Sequence, residues 1–428
     1  MAWPIRYKII MLLMLGTTIN FIDRVNISIA APDIMRQTGW DKAQFGVVMS
    51  AFLFGYAIFQ LPGGLIADRW STRNVIGLSC LGFSLFTALT PLGQFGFVTL
   101  LAMRFLVGLF ESASLPAMTS FCSRWVPRQE FGRTQMINLS GTKVGQILAY
   151  PMTTMLIGAF SWPFVFYLNA VLGFLWVTVW FLYATDTPRE HPKVRAIELS
   201  YIEEHVMSHS RQRPPSTRLI FTAPAVLLLC TAYMLHCFIA WIFIFWFPTY
   251  LIEARGFSRL AMGSVGMIPI FGGLLGMIIG GTISDWLLRR GFSARIARAR
   301  FPGLCEGLSM IFLFAAVRVS SATLSIALFV LFYFTFTVAN AGYWTMPLEL
   351  APRAVGAVSG IMSTCGTIAG VLAPMIVGFL VTQTGSWTMP FNMVTACGLV
   401  ASAVLTLLVA CRPIGQLAER DAVTSVGN

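Results

Sequence analysis

Asp23 and Arg24 are neighbours inside an apolar run from Ile9 to Ala31. That run is long enough to cross a bilayer, which takes roughly 20 residues, and the two charges lie about halfway along it. A charged side chain at membrane depth costs on the order of 3 kcal/mol on insertion scales, so it rarely persists there without a task. Two uses fit the pair. It can satisfy itself and hold helices together, or it can face a water-filled path and handle a proton and an anion.

A second pair has the same character. Arg104 and Glu111 are seven residues apart, two helical turns, and so share one face of a helix. They too could serve as an ion pair between helices. Alternatively, desolvation and a nearby guanidinium act on a buried carboxylate in opposite senses, which lets it exchange a proton near neutral pH. Lys143 adds a third mid-span cation. Arg24, Arg104 and Lys143 then outnumber Asp23 and Glu111 by one, and by three once both carboxylates are protonated. Protonation favours anion binding and anion binding favours protonation, the linkage that co-transport requires. Arginine also suits a carboxylate, because its planar fork makes two parallel hydrogen bonds. Asn138, Thr142 and Gln146 form a polar i, i+4, i+8 stripe, with Lys143 about 100° off it. Lys143 is either a second anion contact, favouring a dicarboxylate or aromatic acid, or a structural partner to a neighbouring helix.

The elements that must position these groups are membrane helices. Of 428 residues, 57% are hydrophobic and 11% charged, a balance that suits a polytopic membrane protein. It overrides the nucleic-acid reading that a net charge of +12 would otherwise invite. The eight cysteines show no C-x-x-C spacing and nearly all fall in apolar runs, as small core residues do. No disulfide framework, metal site or cofactor is expected. The N-terminus has a basic start and an apolar stretch like a signal peptide, but the Asp-Arg pair interrupts it and many apolar segments follow, so a retained first span is expected.

Apolar windows predict an all-α membrane protein with twelve spans: 9–31, 43–67, 74–93, 97–121, 133–157 and 162–184, then 222–250, 260–287, 302–319, 323–347, 355–382 and 388–411. The expected halves are 1–184 and 222–428, six helices each, joined by a polar stretch 185–221. With both termini in the cytoplasm, lysine and arginine favour the inside by about four to one, and only Arg36, Lys42, Arg255, Arg259 and Arg318 fall outside. Within the linker, Ile197, Tyr201, Ile202, His205 and Val206 share a helical face, which predicts a short amphipathic helix under the membrane domain. His205 and His209 have a metal-compatible spacing but no third ligand nearby, and read as solvated polar residues.

The halves echo each other. Gly64-Leu65-Ile66-Ala67-Asp68-Arg69 closes the second span and Gly281-Thr282-Ile283-Ser284-Asp285-Trp286 the eighth. Pro127-Arg128 follows the fourth, and Pro352-Arg353 the tenth. Repeated halves are a common build for secondary transporters. Gly64-x-x-x-Asp68-Arg69-x-Ser71-x-Arg73 resembles the cytoplasmic loop signature of the major facilitator superfamily, with Ser71 where glycine is usual. Asp23-Arg24-x-Asn26, Tyr56-x-x-x-Gln60-x-Pro62-Gly63-Gly64, Arg104-x-x-x-Gly108-x-x-Glu111, Glu198-x-x-Tyr201-Ile202 and Trp246-Phe247-Pro248-x-Tyr250-Leu251 are similar to the anion:cation symporter family of bacterial organic-acid carriers.

That resemblance implies a proton-coupled importer of an organic anion, working as a monomer by alternating access in a bacterial inner membrane. Its partners would be a small organic anion, protons and the lipid bilayer, with no nucleic acid. It assigns proton coupling to Asp23 and Glu111 and anion binding to Arg24 and Arg104. Tyr56, Thr142, Asn340, Tyr343, Trp344 and Ser363 are further candidate contacts. A glutamine stands where Thr142 falls, and an asparagine where Ser363 falls, in that family's galactonate carrier, so galactonate itself is in doubt. Asp68, Arg69 and Arg73 read as a gate, with Asp285 as the echo of Asp68. His236 reads as a hydrogen-bonded core residue rather than a proton carrier. The glycine ladders Gly272/Gly276/Gly280 and Gly356/Gly360 have the spacing that lets helix backbones approach. The same fold also hosts drug:proton antiporters, but Ser140-Gly141-Thr142-Lys143-Val144-Gly145 lacks their usual glycine-proline signature. No H-E-x-x-H, G-x-S-x-G or P-loop motif supports an enzyme.

Overall fold

A computed structural model describes residues 4–205, 222–351 and 355–409. The described residues form helices joined by short connections, because a backbone in lipid must satisfy its own hydrogen bonds. The helices are α1 (Ile5–Thr38), α2 (Lys42–Arg69), α3 (Thr72–Leu89), α4 (Phe97–Glu111), α5 (Ser114–Trp125), α6 (Arg128–Ala159) and α7 (Trp162–Tyr183). After the short linker helix α8 (Ala196–His205) come α9 (Pro224–Glu253), α10 (Arg259–Val265), α11 (Ile268–Arg289), α12 (Phe301–Arg318), α13 (Ala322–Leu350), α14 (Val355–Thr384) and α15 (Thr388–Ala403). Among the described residues, eleven segments are long and apolar enough to cross a membrane. The α6 helix, 32 residues long, carries the polar stripe and is not among them.

Local chemistry sets the ends. Asp41 and Gln44 form a reciprocal capping box at the start of α2, at 2.7 and 3.1 Å. Gly39 closes α1 at φ 75°, a left-handed turn that favours glycine. Ser71, Ser258 and Ser321 cap α3, α10 and α13. The third and fourth spans are joined by a short 3-10 helix, Thr90–Phe95.

The described residues fall into two compact units. One gathers Met1–Ser210 with Ile244–Met267 and Pro374–Phe379; the other gathers Arg211–Phe243, Ile268–Ala373 and Leu380–Asn428. In the first, α2 packs on α4 and α3 on α7; in the second, α11 packs on α13 and α12 on α15. These are the second-with-fourth and third-with-sixth spans of each half, so the sequence echo is also an echo in packing. The Gly272/Gly276/Gly280 ladder lies against α13: a Cβ there would stand 2.9 Å from Val330, 2.1 Å from the Phe334 carbonyl and 2.8 Å from Val338. Gly360 has open space beside it, so in the second ladder this position makes no such approach.

Burial is inverted relative to a soluble protein. Asp23, Asn26, Arg104 and Glu306 are fully buried, while Leu175, Leu182, Leu304 and Ile311 are exposed. Apolar side chains outside and charges inside are what a lipid solvent selects.

Candidate functional site

The four charges singled out in the first half meet, but in crossed pairs. Arg24 of α1 donates to Glu111 of α4. Arg104 of α4 faces Asp23 of α1 at 4.0 Å. Neither Asp23–Arg24 nor Arg104–Glu111 forms an ion pair among the described residues. Asp23 also accepts from Thr87 of α3 and Asn169 of α7, both at 3.0 Å. Its carboxylate therefore links α1 to α3, α4 and α7.

Two features bring these groups within reach. A Cβ on Gly108 would stand 1.8 Å from the Phe52 carbonyl, and one on Gly55 2.1 Å from the Phe105 carbonyl. Only glycine at these positions lets α4 lie so close to α2. The close approach places the Phe52 ring under both cations, 5.2 Å from the Arg24 guanidinium and 5.0 Å from that of Arg104. Phe21 and Tyr56 flank Arg24 at 4.4 and 5.3 Å. Aromatic faces partly replace lost hydration around a cation without consuming its hydrogen-bond donors.

Arg104 is the unusual member. It is fully buried, and its Nε, Nη1 and Nη2 have no hydrogen-bond acceptor. The contact to Asp23 is electrostatic at 4.0 Å, longer than a hydrogen bond. A buried guanidinium with idle donors is costly, and an incoming anion with two oxygens would use them. Glu111 likewise keeps Oε2 without a donor.

On α6, Asn138 accepts from Thr17 at 2.9 Å, Gln146 is buried, and Thr142 and Lys143 are half-buried. In the second unit, Asn340 is half-buried with an Oδ1 that has no donor. Trp344 is half-exposed beside Tyr233, with ring centroids 6.0 Å apart, and Ser363 is half-buried. Tyr343 is fully buried and donates to Glu306 at 2.6 Å rather than presenting a free hydroxyl.

Sequence reading passed over Glu306. It is fully buried, and His236 Nδ1 lies 3.0 Å from its Oε1. Starting the ninth span at 302 put this glutamate one turn from a helix end. The helix in fact begins with a π-turn at Arg295–Arg300, so Glu306 lies two turns further in. An acid inside an apolar window was the available signal. His236 is hydrogen-bonded in the core, in keeping with expectation, but its partner is ionisable.

The residues read as a gate are only partly described. The side chains of Asp68 and Arg69 lie outside the described residues, as do Arg353 and the side chain of His205. Arg73 donates to the Phe181 carbonyl at 2.5 Å, and its own N–H donates to Asp186 at 3.0 Å. Asp285 accepts from Arg298 at 2.7 Å.

The linker has a role the sequence did not reveal. Glu198 of α8 accepts the backbone N–H groups of Ile5 and Arg6 at 3.1 Å each, capping the start of α1. Arg6 bridges Glu198 at 3.2 Å and Glu130 at 3.0 Å, and Tyr7 and Tyr201 also donate to Glu130. Burial opposes the Glu130 carboxylate, but these hydrogen bonds and the Arg6 charge outweigh it and hold its pKa below the ordinary value. Ile202 is buried while Ile197 is exposed, so only part of the expected apolar face of α8 is covered.

Helices with a charged interior, repeated packing and a buried arginine with unused donors fit a multi-pass membrane transporter. The model of the Major Facilitator Superfamily matches residues 13–374, and this chain belongs to that superfamily. It is 31% identical to a probable galactarate/D-glucarate transporter of Bacillus subtilis, covering 96% of this chain and 93% of that one. It is 30% identical to a chloroplast protein of Arabidopsis thaliana named sodium-dependent phosphate transport protein 1, covering 95% and 79%. The crystal structure of a D-xylose-proton symporter shares the fold at a TM-score of 0.74 and 13% identity, covering 95% of this chain and 98% of that one. The chain is a transporter and not an enzyme.

Proposed function

We propose that this transporter imports an organic anion, such as a sugar acid, dicarboxylate or aromatic carboxylate, together with protons by alternating access. The observation that carries the reading is the buried Arg104 guanidinium, with three idle nitrogens beside Asp23. An anion arriving at Arg104 competes with Asp23 for it, and at Arg24 it competes with Glu111. A displaced carboxylate in a low-dielectric site takes up a proton, because an uncompensated buried charge is costly. Proton and anion therefore enter together.

In this reading Asp23 and Glu111 carry protons, and Arg24, Arg104, Tyr56, Thr142 and Lys143 bind the anion. Asn340, Trp344 and Ser363 are further candidate anion contacts, and Asp68, Arg69, Arg73 and Asp285 gate. Two six-helix halves, 1–184 and 222–428, joined by 185–221, would sit in a bacterial inner membrane with both termini cytoplasmic, as a monomer. The Bacillus subtilis relative's name supports D-glucarate as the first compound to try. The name of the plant relative makes sodium the coupling ion to test against. The deciding experiment is D-glucarate uptake into proteoliposomes under an imposed proton gradient or an imposed sodium gradient. Uptake driven by protons supports the reading, and uptake driven by sodium alone refutes it.

A further inference from the structure

We propose that Glu306, with His236 and Tyr343, forms a second proton-binding site, in which Glu306 takes up and releases a proton during the transport cycle. The proposal rests on the proton-coupled reading above and extends it to the second unit.

Glu306 uses both carboxylate oxygens. Oε1 meets His236 Nδ1 at 3.0 Å and Oε2 accepts from the Tyr343 hydroxyl at 2.6 Å. All three side chains are buried. Among the described residues, no arginine or lysine forms an ion pair with Glu306. This separates it from Asp23 and Glu111, each of which has a guanidinium. The countercharge of Glu306 is itself titratable, so the pair is neutral either as carboxylate with imidazolium or as carboxylic acid with imidazole. Such a pair can gain or lose one proton as a unit.

The surroundings neither supply a fixed charge nor leave the imidazole loose. The His236 ring stacks on Phe336, centroids 4.0 Å apart and planes 10° apart, and lies 4.8 Å from Tyr343. The other titratable groups on α9 nearby are Tyr233 and Cys237, with Cys365 of α14 beside Cys237. On α15 the only titratable side chain is Cys397. Arg298 is engaged by Asp285 and Arg295 by the Leu407 carbonyl, while Arg300 is exposed. Tyr233 touches both Tyr343, at 5.4 Å, and the half-exposed Trp344, at 6.0 Å. The buried acid thus lies behind Trp344, one of the residues assigned to the anion.

A purely structural role needs only hydrogen bonds, which glutamine can supply at this position. The test is therefore an infrared pH titration of the purified protein in liposomes without substrate. A protonated-carboxyl signal should change with pH. It should be lost in Glu306→Gln and shifted in midpoint by His236→Gln and Tyr343→Phe. An identical signal in wild type and Glu306→Gln overturns the proposal. With D-glucarate as the probe, Glu306→Gln should lower the protons moved per D-glucarate by one, read from the reversal potential, with counterflow within about threefold of wild type. Unchanged stoichiometry, or equal loss of uptake and counterflow, also overturns it. A wild type that moves no protons with D-glucarate counts against the proposed function, while the infrared result decides the Glu306 site by itself.

Discussion

Arg24 in α1 forms its ion pair with Glu111 in α4, not with Asp23, its neighbour in the chain. Adjacent residues on a helix point about 100° apart and do not face each other. Asp23 turns instead toward Thr87, Asn169 and Arg104. The crossing makes each carboxylate depend on the arginine of the other helix, so a single anion at either arginine disturbs a contact between α1 and α4.

Neutralising the carboxylates should separate coupling from binding. Asp23→Asn and Glu111→Gln are each expected to lower proton-driven D-glucarate uptake by about 100-fold while exchange across the same liposomes stays within about threefold. Equal loss of both activities in a correctly inserted variant would argue for a structural pair.

Arg104 should be more demanding than a cation alone. Arg104→Lys keeps the charge but loses the planar fork, and D-glucarate affinity is expected to fall at least about 10-fold, read by calorimetry or thermal shift. Binding unaffected by this change would remove Arg104 from the site.

Lys143 should separate the two roles open to it by how its loss affects dianions and monoanions. If it is a second anion contact, Lys143→Met should raise KM for D-glucarate by about 10-fold more than for a hexuronate monoanion. A parallel change for both substrates would assign it to helix packing.

Gly108 should be intolerant of a methyl group. Gly108→Ala pushes α4 off the Phe52 carbonyl, an overpacking cost of about 1–3 kcal/mol, with Arg24 and Arg104 displaced together. Gly281→Ala, where a Cβ meets nothing within 4 Å, is the matched control. Thermal stability in detergent should fall for the first and hold for the second.

The linker clasp should weaken in acid. The pKa of Glu130 is lower folded than its ordinary value of 4.5, so its contribution is present above that pH and lost as pH falls through the folded value. Protection of the α8–α1 contact from hydrogen exchange should exceed that of Glu130→Gln at neutral pH, and the difference should vanish in acid. A pH-independent difference would mean that the Glu130 charge is not what holds the clasp.

Much of this was legible in the chain alone. Eleven of the twelve apolar windows coincide with helical segments long and apolar enough to span, to within a few residues at most ends, because lipid demands long unbroken helices and proteins spell that out in composition. The mid-span charges in α1 and α4 were equally plain, since Asp23, Arg24, Arg104 and Glu111 interrupt runs where charge is costly. What sequence could not supply was partnership. Spacing says which face of a helix a residue occupies, but which neighbour it meets depends on how closely two backbones approach, and Gly55 and Gly108 decide that only once α2 and α4 are packed. The same holds for Glu306, whose depth depends on where its helix begins, and whose partners His236 and Tyr343 arrive from segments 70 and 37 residues away. Composition and periodicity set the spans because each helix answers to the bilayer by itself; the pairing of charges belonged to the tertiary structure because an electrostatic contact is fixed by distance between helices.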